Sequence, residues 1–160
     1  MIGPFKPAPD GFRYVYIAID KFSKWIEYKP LVSATAKKAV DLFEDIIHRF
    51  GLPNSFITDL GTMFIGHHFW DFCEDRCISI KYVSIAHPRA YDQVEWANSM
   101  IIDALKKRLY QKEEKHPGRW LKELPAMVRG LHTQASRSTG VSPYFLVYGS
   151  EAILPADVAF

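Results

Sequence analysis

Asn54-Ser55-Phe56-Ile57-Thr58-Asp59-Leu60-Gly61-Thr62 is a short apolar run that stops on a carboxylate and a glycine. The pattern predicts a buried strand over 54–58 with Asp59 at its C-terminal end. Upstream, Ala36, Ala39, Val40, Phe43, Ile46, Ile47 and Phe50 recur at helical spacing. They predict one amphipathic helix ending at Phe50, with Ser33 and Thr35 as N-caps, Gly51 as its stop and Pro53 just beyond. Downstream, residues 67–75 predict a short helix, 78–83 a strand, and 93–111 a long helix with Glu95 in its first turn. Asp59 thus ends a strand and Glu95 starts a helix, the two places where α/β proteins build their sites.

Outward from this unit the elements continue. Residues 12–20 are aromatic and β-rich, and the Pro7-Ala8-Pro9-Asp10-Gly11 turn before them predicts that a short first strand, 1–5, pairs back as a hairpin. Residues 24–29 alternate apolar and polar as a third strand, and 120–135 and 142–148 predict two more helices. The order βββ-α-β-α-β-α-α-α predicts an α/β fold, a mixed five-stranded sheet flanked by helices, in one domain over 1–160.

The chain has 160 residues, 48% of them hydrophobic and 24% charged, with 11 Phe, 8 Tyr and 4 Trp to fill a core. These are globular proportions. No apolar run approaches a membrane span, and the proline-broken N-terminus is not a signal peptide, so no membrane partner is expected. The net charge of +2 does not by itself point to nucleic acid. Cys73 and Cys77 form no disulfide framework, which implies a reducing compartment, nuclear or cytoplasmic; four residues apart, they are expected on one buried helix face.

Two carboxylates with 35 residues between them (positions 60–94) carry the chemistry. Their flanks are Lys21-Phe22-Ser23-Lys24-Trp25, Thr58-Asp59-Leu60-Gly61-Thr62-Met63-Phe64, and His87-Pro88-Arg89 leading to Gln93-Val94-Glu95-Trp96-Ala97-Asn98. Trp120, Leu124-Pro125 and Ser138-Thr139-Gly140-Val141-Ser142-Pro143, closing on Leu146-Val147-Tyr148-Gly149, complete the set. In this order the motifs resemble the catalytic core of retroviral and gypsy-type retrotransposon integrases, over nearly the whole chain. The resemblance implies a ribonuclease-H-like fold and Asp59 and Glu95 as catalytic, metal-holding carboxylates. It further implies Mg²⁺ or Mn²⁺ as the cofactor of an active enzyme, DNA as partner, and a homodimer. Two such metals, about 3.5–4 Å apart, activate the attacking oxygen and stabilise the leaving one. Arg89, Gln93 and Lys106 are the residues expected to meet nucleic acid.

The departures from the family pattern cluster at the same site. The family's first catalytic Asp is expected at or just before Met1, ahead of Ile2-Gly3-Pro4-Phe5. Asp20 matches a position that is usually Asp but not catalytic, and Asp10 is expected to be solvated in the hairpin turn. Leu60 stands where the family usually has Asn, and Tyr91-Asp92-Gln93 where it has Asn-Gly-Gln. The lost glycine removes backbone freedom from a catalytic loop. Trp96 replaces a basic residue, and Ser99 and Ile102 occupy the face where retroviral enzymes carry DNA-contacting lysines. Two functions follow as expectations. The first is a domesticated or degenerate integrase core, catalytically impaired and without need of a metal, binding nucleic acid or protein. The alternative is an active metal-dependent polynucleotidyl transferase whose first Asp precedes this sequence.

His67, His68, Cys73 and Cys77 fit no common structural zinc spacing. The basic run Lys106-Lys107-Arg108 with Lys112 and Lys115 is interrupted by Glu113 and Glu114, as in a solvated helix end. The four tryptophans are expected as core or interface anchors.

Overall fold

A computed structural model describes residues 1–83, 96, 99–101, 103–104, 118–154 and 157. Strands β1 (Tyr14–Ile19) and β2 (Ile26–Leu31) form an antiparallel hairpin. Helix α1 (Ala36–Phe50) follows, then strand β3 (Ser55–Thr58), helix α2 (His67–Glu74) and strand β4 (Ser79–Tyr82), which runs parallel to β3. Trp96, Ser99, Met100, Ile101, Asp103 and Ala104 are helical. Helices α3 (Trp120–Thr133) and α4 (Pro143–Tyr148) close the described chain.

Alternation along β1 sends its side chains to two different cores. Val15, Ile17 and Ile19 face one cluster with Ile26, Tyr28, Ile101, Trp120, Leu124, Met127 and Val128. Tyr14, Tyr16 and Ala18 face the other, with Leu31, the α1 stripe Ala39, Val40, Leu42 and Phe43, and Phe69, Phe72 and Cys73 of α2. A strand with period two buried on both faces is the middle of a three-layer α/β arrangement. The α1 reading from the sequence holds in detail. Thr35 Oγ1 accepts from the Lys38 amide at 3.3 Å, and Gly51, at φ 87°, closes the helix through Ile47 O at 2.8 Å. Among the described residues no helix is long and apolar enough to cross a membrane.

The five-stranded sheet expected from the sequence is corrected. The described strands form two ladders of two, β1–β2 and β3–β4. The first strand is reduced to one antiparallel bridge, Ile2 to Val15, on the edge of β1 away from β2. Gly3 leaves the extended region at φ 126°, and Pro4 has no amide hydrogen, so the ladder cannot propagate. The chain still runs back along β1 irregularly, with Phe5 N to Arg13 O at 2.7 Å and Ala8 N to Phe12 O at 2.9 Å. The third strand begins at Ile26 rather than residue 24. Lys24 is left-handed at φ 63°, locked by a turn in which Asp20 Oδ2 accepts from Ser23 N and Ser23 Oγ, both at 2.7 Å.

Two further expectations shift. Cys77 lies beyond the end of α2, exposed and at φ 54°, so it shares no helix face with buried Cys73. Burial pushes the Cys73 thiol up to about 11, with Arg76 opposing. The apolar residues of α3 are spent inward: Trp120, Leu124, Met127 and Val128 all lie in the core.

The hairpin is clamped to α3 through aromatic stacking. His132 lies 3.6 Å from Trp25, ring centroid to centroid, at 9°. Its Nε2 is 2.8 Å from the Ile26 carbonyl, to which that nitrogen donates. Trp25 Nε1 donates to Glu27 Oε1 at 2.7 Å, and Arg49 pairs with the other Glu27 oxygen at 2.5 Å. Burial holds His132 below its ordinary imidazole value of 6.5, while the Ile26 hydrogen bond and Glu27 oppose the shift. The folded state therefore favours the neutral ring. That contribution to stability is fully present above about pH 6.5 and is lost as pH falls through it, because the unfolded chain binds the proton more readily. The urea midpoint is expected to fall between about pH 7.5 and about pH 5, with His132→Gln showing a shallower fall. Parallel pH curves for the two proteins would remove His132 from the account.

Candidate metal and nucleic-acid site

Asp59 leaves β3 exactly one residue past Thr58, at the C-terminal end of the parallel pair. Its side chain is exposed, and Oδ1 accepts the Gly61 amide at 3.0 Å. This local turn fixes the carboxylate's direction. A Cβ on Gly61 would stand 2.8 Å from that oxygen, so a side chain there would turn the exposed carboxylate out of this position. The loop beyond is held by Phe64 N to Gly61 O at 2.9 Å and by the Tyr82 hydroxyl, which donates to Phe64 O at 2.6 Å. Phe64 and Met63 pack onto the α1–α2 core, so the carboxylate stands on a rigid base.

The neighbours of Asp59 set its chemistry. Leu60 is 64% exposed, an apolar side chain directly beside the carboxylate. Thr58 Oγ1 is buried and has no hydrogen-bond partner among the described residues. The amino group of Met1 is lowered by burial, with the Asp59 carboxylate opposing that shift. The Met1 amino group, one residue ahead of the Ile2 bridge to β1, is thus within electrostatic reach of Asp59. An exposed carboxylate with hard oxygen donors suits Mg²⁺ or Mn²⁺. Among the described residues Asp59 has no cluster of further His, Cys, Asp or Glu side chains able to hold a metal with it.

Glu95 lies outside the described residues, as do Arg89, Gln93 and Lys106, and the loop residues Tyr91 and Asp92. Of the sequence-derived site, the structure places Asp59 alone. Asp20 is occupied in the hairpin turn, and Asp10 is exposed at φ 63° in a single 3₁₀ turn (Pro9–Gly11). Trp96, which follows Glu95, is helical and 50% exposed. It lines a groove with Met100, Lys24 and Arg137 that the sequence motifs did not reveal. The only advance signal was the replacement of a basic residue by Trp96.

Three comparisons place the chain among known proteins. The family described as integrase core domain matches residues 2–88. The Gag-Pol polyprotein of avian reticuloendotheliosis virus is 31% identical over 144 residues, covering 89% of this chain but 12% of the polyprotein. The chain thus spans about an eighth of that relative's length. A simian T-cell lymphotropic virus intasome, solved with the PP2A regulatory subunit B56 gamma, aligns at TM-score 0.73 and 17% identity. It covers 96% of this chain and 54% of that one. The HTLV-2 integrase catalytic core domain in complex with magnesium, in its dimeric form, aligns at TM-score 0.63 and 20% identity, covering 83% of this chain and 82% of that one. These structural likenesses show the fold: an α/β integrase core of the ribonuclease-H-like kind.

Proposed function

The chain belongs to the integrase core domain family, and from that premise we propose that it is a degenerate, gypsy-type integrase core with impaired metal chemistry. In this reading one domain over 1–160 acts inside the cell by binding nucleic acid or protein. The observation that carries it is Leu60, the residue after Asp59, an apolar side chain 64% exposed where the family pattern has Asn. Waters around a bound divalent ion need polar partners, and an isobutyl group offers none. Tyr91 and Asp92 add bulk and negative charge next to Glu95 in the sequence. The motif set from Lys21 to Gly149 supports the gypsy-type branch. When bound between Asp59 and Glu95, Mg²⁺ or Mn²⁺ would supply activation of the attacking oxygen.

The second reading is an active polynucleotidyl transferase. The observation favouring it is the proximity of Met1 to Asp59: a carboxylate just ahead of Ile2 would stand beside Asp59. A gel assay on labelled oligonucleotide with Mn²⁺ separates the two. This chain is expected to show no more nicking or strand transfer than its Asp59→Asn variant. Turnover clearly above that variant would return the chain to the active integrases.

A symmetric dimer is part of the proposal, since closed two-fold pairs are the commonest assemblies. The α3 side chains being internal, the available surface is aromatic. Tyr148 is 58% exposed, with Phe145 beside it on α4 and Phe50 and Leu52 at the end of α1. Light scattering at tens of micromolar is expected to exceed the 18.4 kDa monomer mass. Tyr148→Lys is expected to restore the monomer. A monomer in the unsubstituted protein would end this proposal.

A further inference from the structure

A groove of about 770 Å³ lies between the β1–β2 hairpin, the helical residues Trp96 and Met100, and the end of α3. Its floor is apolar: Ile19 and Ile26 from the hairpin and Leu131 from α3. Trp96 and Met100, one helical turn apart, form one wall. Among the described residues, its charged lining side chains are Arg137 and Lys24, with no Asp or Glu beside them. Asp59 is not among the lining residues, so the groove is separate from that carboxylate.

We propose that this groove docks a linear peptide of a protein partner, one presenting a bulky apolar side chain flanked by carboxylates. Charge complementarity sets the flanks: the charged side chains among the described lining residues are both cationic, and Arg137 is exposed with no ion pair among the described residues. The floor sets the anchor. An aliphatic floor of this volume matches the concave, mostly apolar sites that take one or two buried side chains. It offers nothing to a phosphodiester backbone, which needs a track of cations. Trp96 is an amphipathic wall of the type enriched at interface hot spots.

The rim is built in advance of any partner. Ser136 N donates to Val141 O at 2.9 Å and Gly140 N to Ser136 O at 2.8 Å, closing the loop that carries Arg137. Ser142, 1% exposed, accepts from Phe145 N at 2.9 Å and donates to Glu151 at 2.6 Å, anchoring the loop to α4. A preformed rim reduces the ordering cost of binding. The inference names a partner chemistry for the binding role proposed above, but does not depend on whether Asp59 and Glu95 are active.

The test uses an immobilised library of peptides of about twelve residues, each with a central Leu, Phe or Trp and either Asp/Glu or Lys/Arg flanks. The protein is offered as the unsubstituted chain, as Arg137→Glu, as Met100→Glu, and as Lys37→Ser, an exposed α1 position outside the groove lining. Acidic-flanked peptides are expected to bind with Kd below about 100 μM. Arg137→Glu should weaken them at least about tenfold and shift preference towards basic flanks, and Lys37→Ser should change neither. Because Arg137 is on an exposed loop, its variant keeps the test decisive even where Met100→Glu fails to fold. Peptides held no tighter than about 1 mM, equal binding of both flank classes, or indifference to Arg137→Glu would each overturn the proposal. So would an unlabelled single-stranded oligonucleotide binding in an Arg137-dependent way with no peptide bound, or Met100→Glu changing the oligomeric mass. Failure here leaves the oligonucleotide gel assay, and the reading it tests, untouched.

Discussion

Phe69→Ala is expected to lower the unfolding free energy by about 3–5 kcal/mol, a large share of the roughly 5–15 kcal/mol typical of a domain. Phe69 is 0% exposed and sits among three other aromatic rings. Its ring centroid lies 5.3 Å from Phe64, 5.6 Å from Phe43 and 6.4 Å from Phe56. Removing it opens a cavity between α1, α2 and β3 that rigid neighbours fill only in part. The loss reaches the site, because Phe64 ends the turn that aims Asp59. Amide exchange at Gly61 and Phe64 is expected to accelerate with the fall in stability. Phe69→Leu, keeping most of the volume, should cost clearly less. A loss below about 1 kcal/mol for Phe69→Ala would show that this core is not arranged as described.

The second large effect is expected at Trp120. Its indole is 2% exposed, stacks on Phe5 at 4.7 Å, and donates from Nε1 to the Lys6 carbonyl at 2.9 Å. It therefore fastens α3 to the N-terminal segment. Gly118 allows the approach: at φ 89°, its missing Cβ would lie 2.5 Å from Ala8 Cα. Trp120→Ala is expected to cost about 3–5 kcal/mol and to expose residues 5–8 to protease first. Trp120→Phe keeps the stack and forfeits the hydrogen bond, a loss of about 1 kcal/mol. Equal denaturant midpoints for the two variants would sink the assignment of separate roles to stacking and hydrogen bond. The segment so fastened is the one whose Ile2 pairs with Val15 and whose Met1 lies beside Asp59. Trp120 thus acts on the site from a distance, by holding the chain next to it.

Most of the secondary structure was legible because it is written in local periodicity. Helix α1 carries its stripe, its Thr35 cap and its Gly51 stop within one stretch of chain. Strand β3 is a short apolar run ending at Thr58, just before Asp59, and the amide two residues on is the one that the carboxylate accepts. Family and fold class were legible too, since the motifs recur in a fixed order. Asp20 was separated from the candidate pair Asp59 and Glu95 by its motif position, and the turn hydrogen bonds give the reason it stays in the hairpin.

What the sequence by itself determined, then, is the order of elements, the α1 and β3 boundaries, and the position of Asp59 on a strand end. These depend on contacts between residues a few positions apart. The tertiary structure alone decided the rest. The first strand stops after Ile2 because Gly3 leaves the extended region and Pro4 cannot donate. The apolar face of α3 is consumed by the core rather than left for a partner. His132 reaches back 106 positions to Ile26, and Arg137 and Trp96 meet across one groove. Such pairings depend on how two layers pack, and no period in the chain records which distant side chains will share a surface.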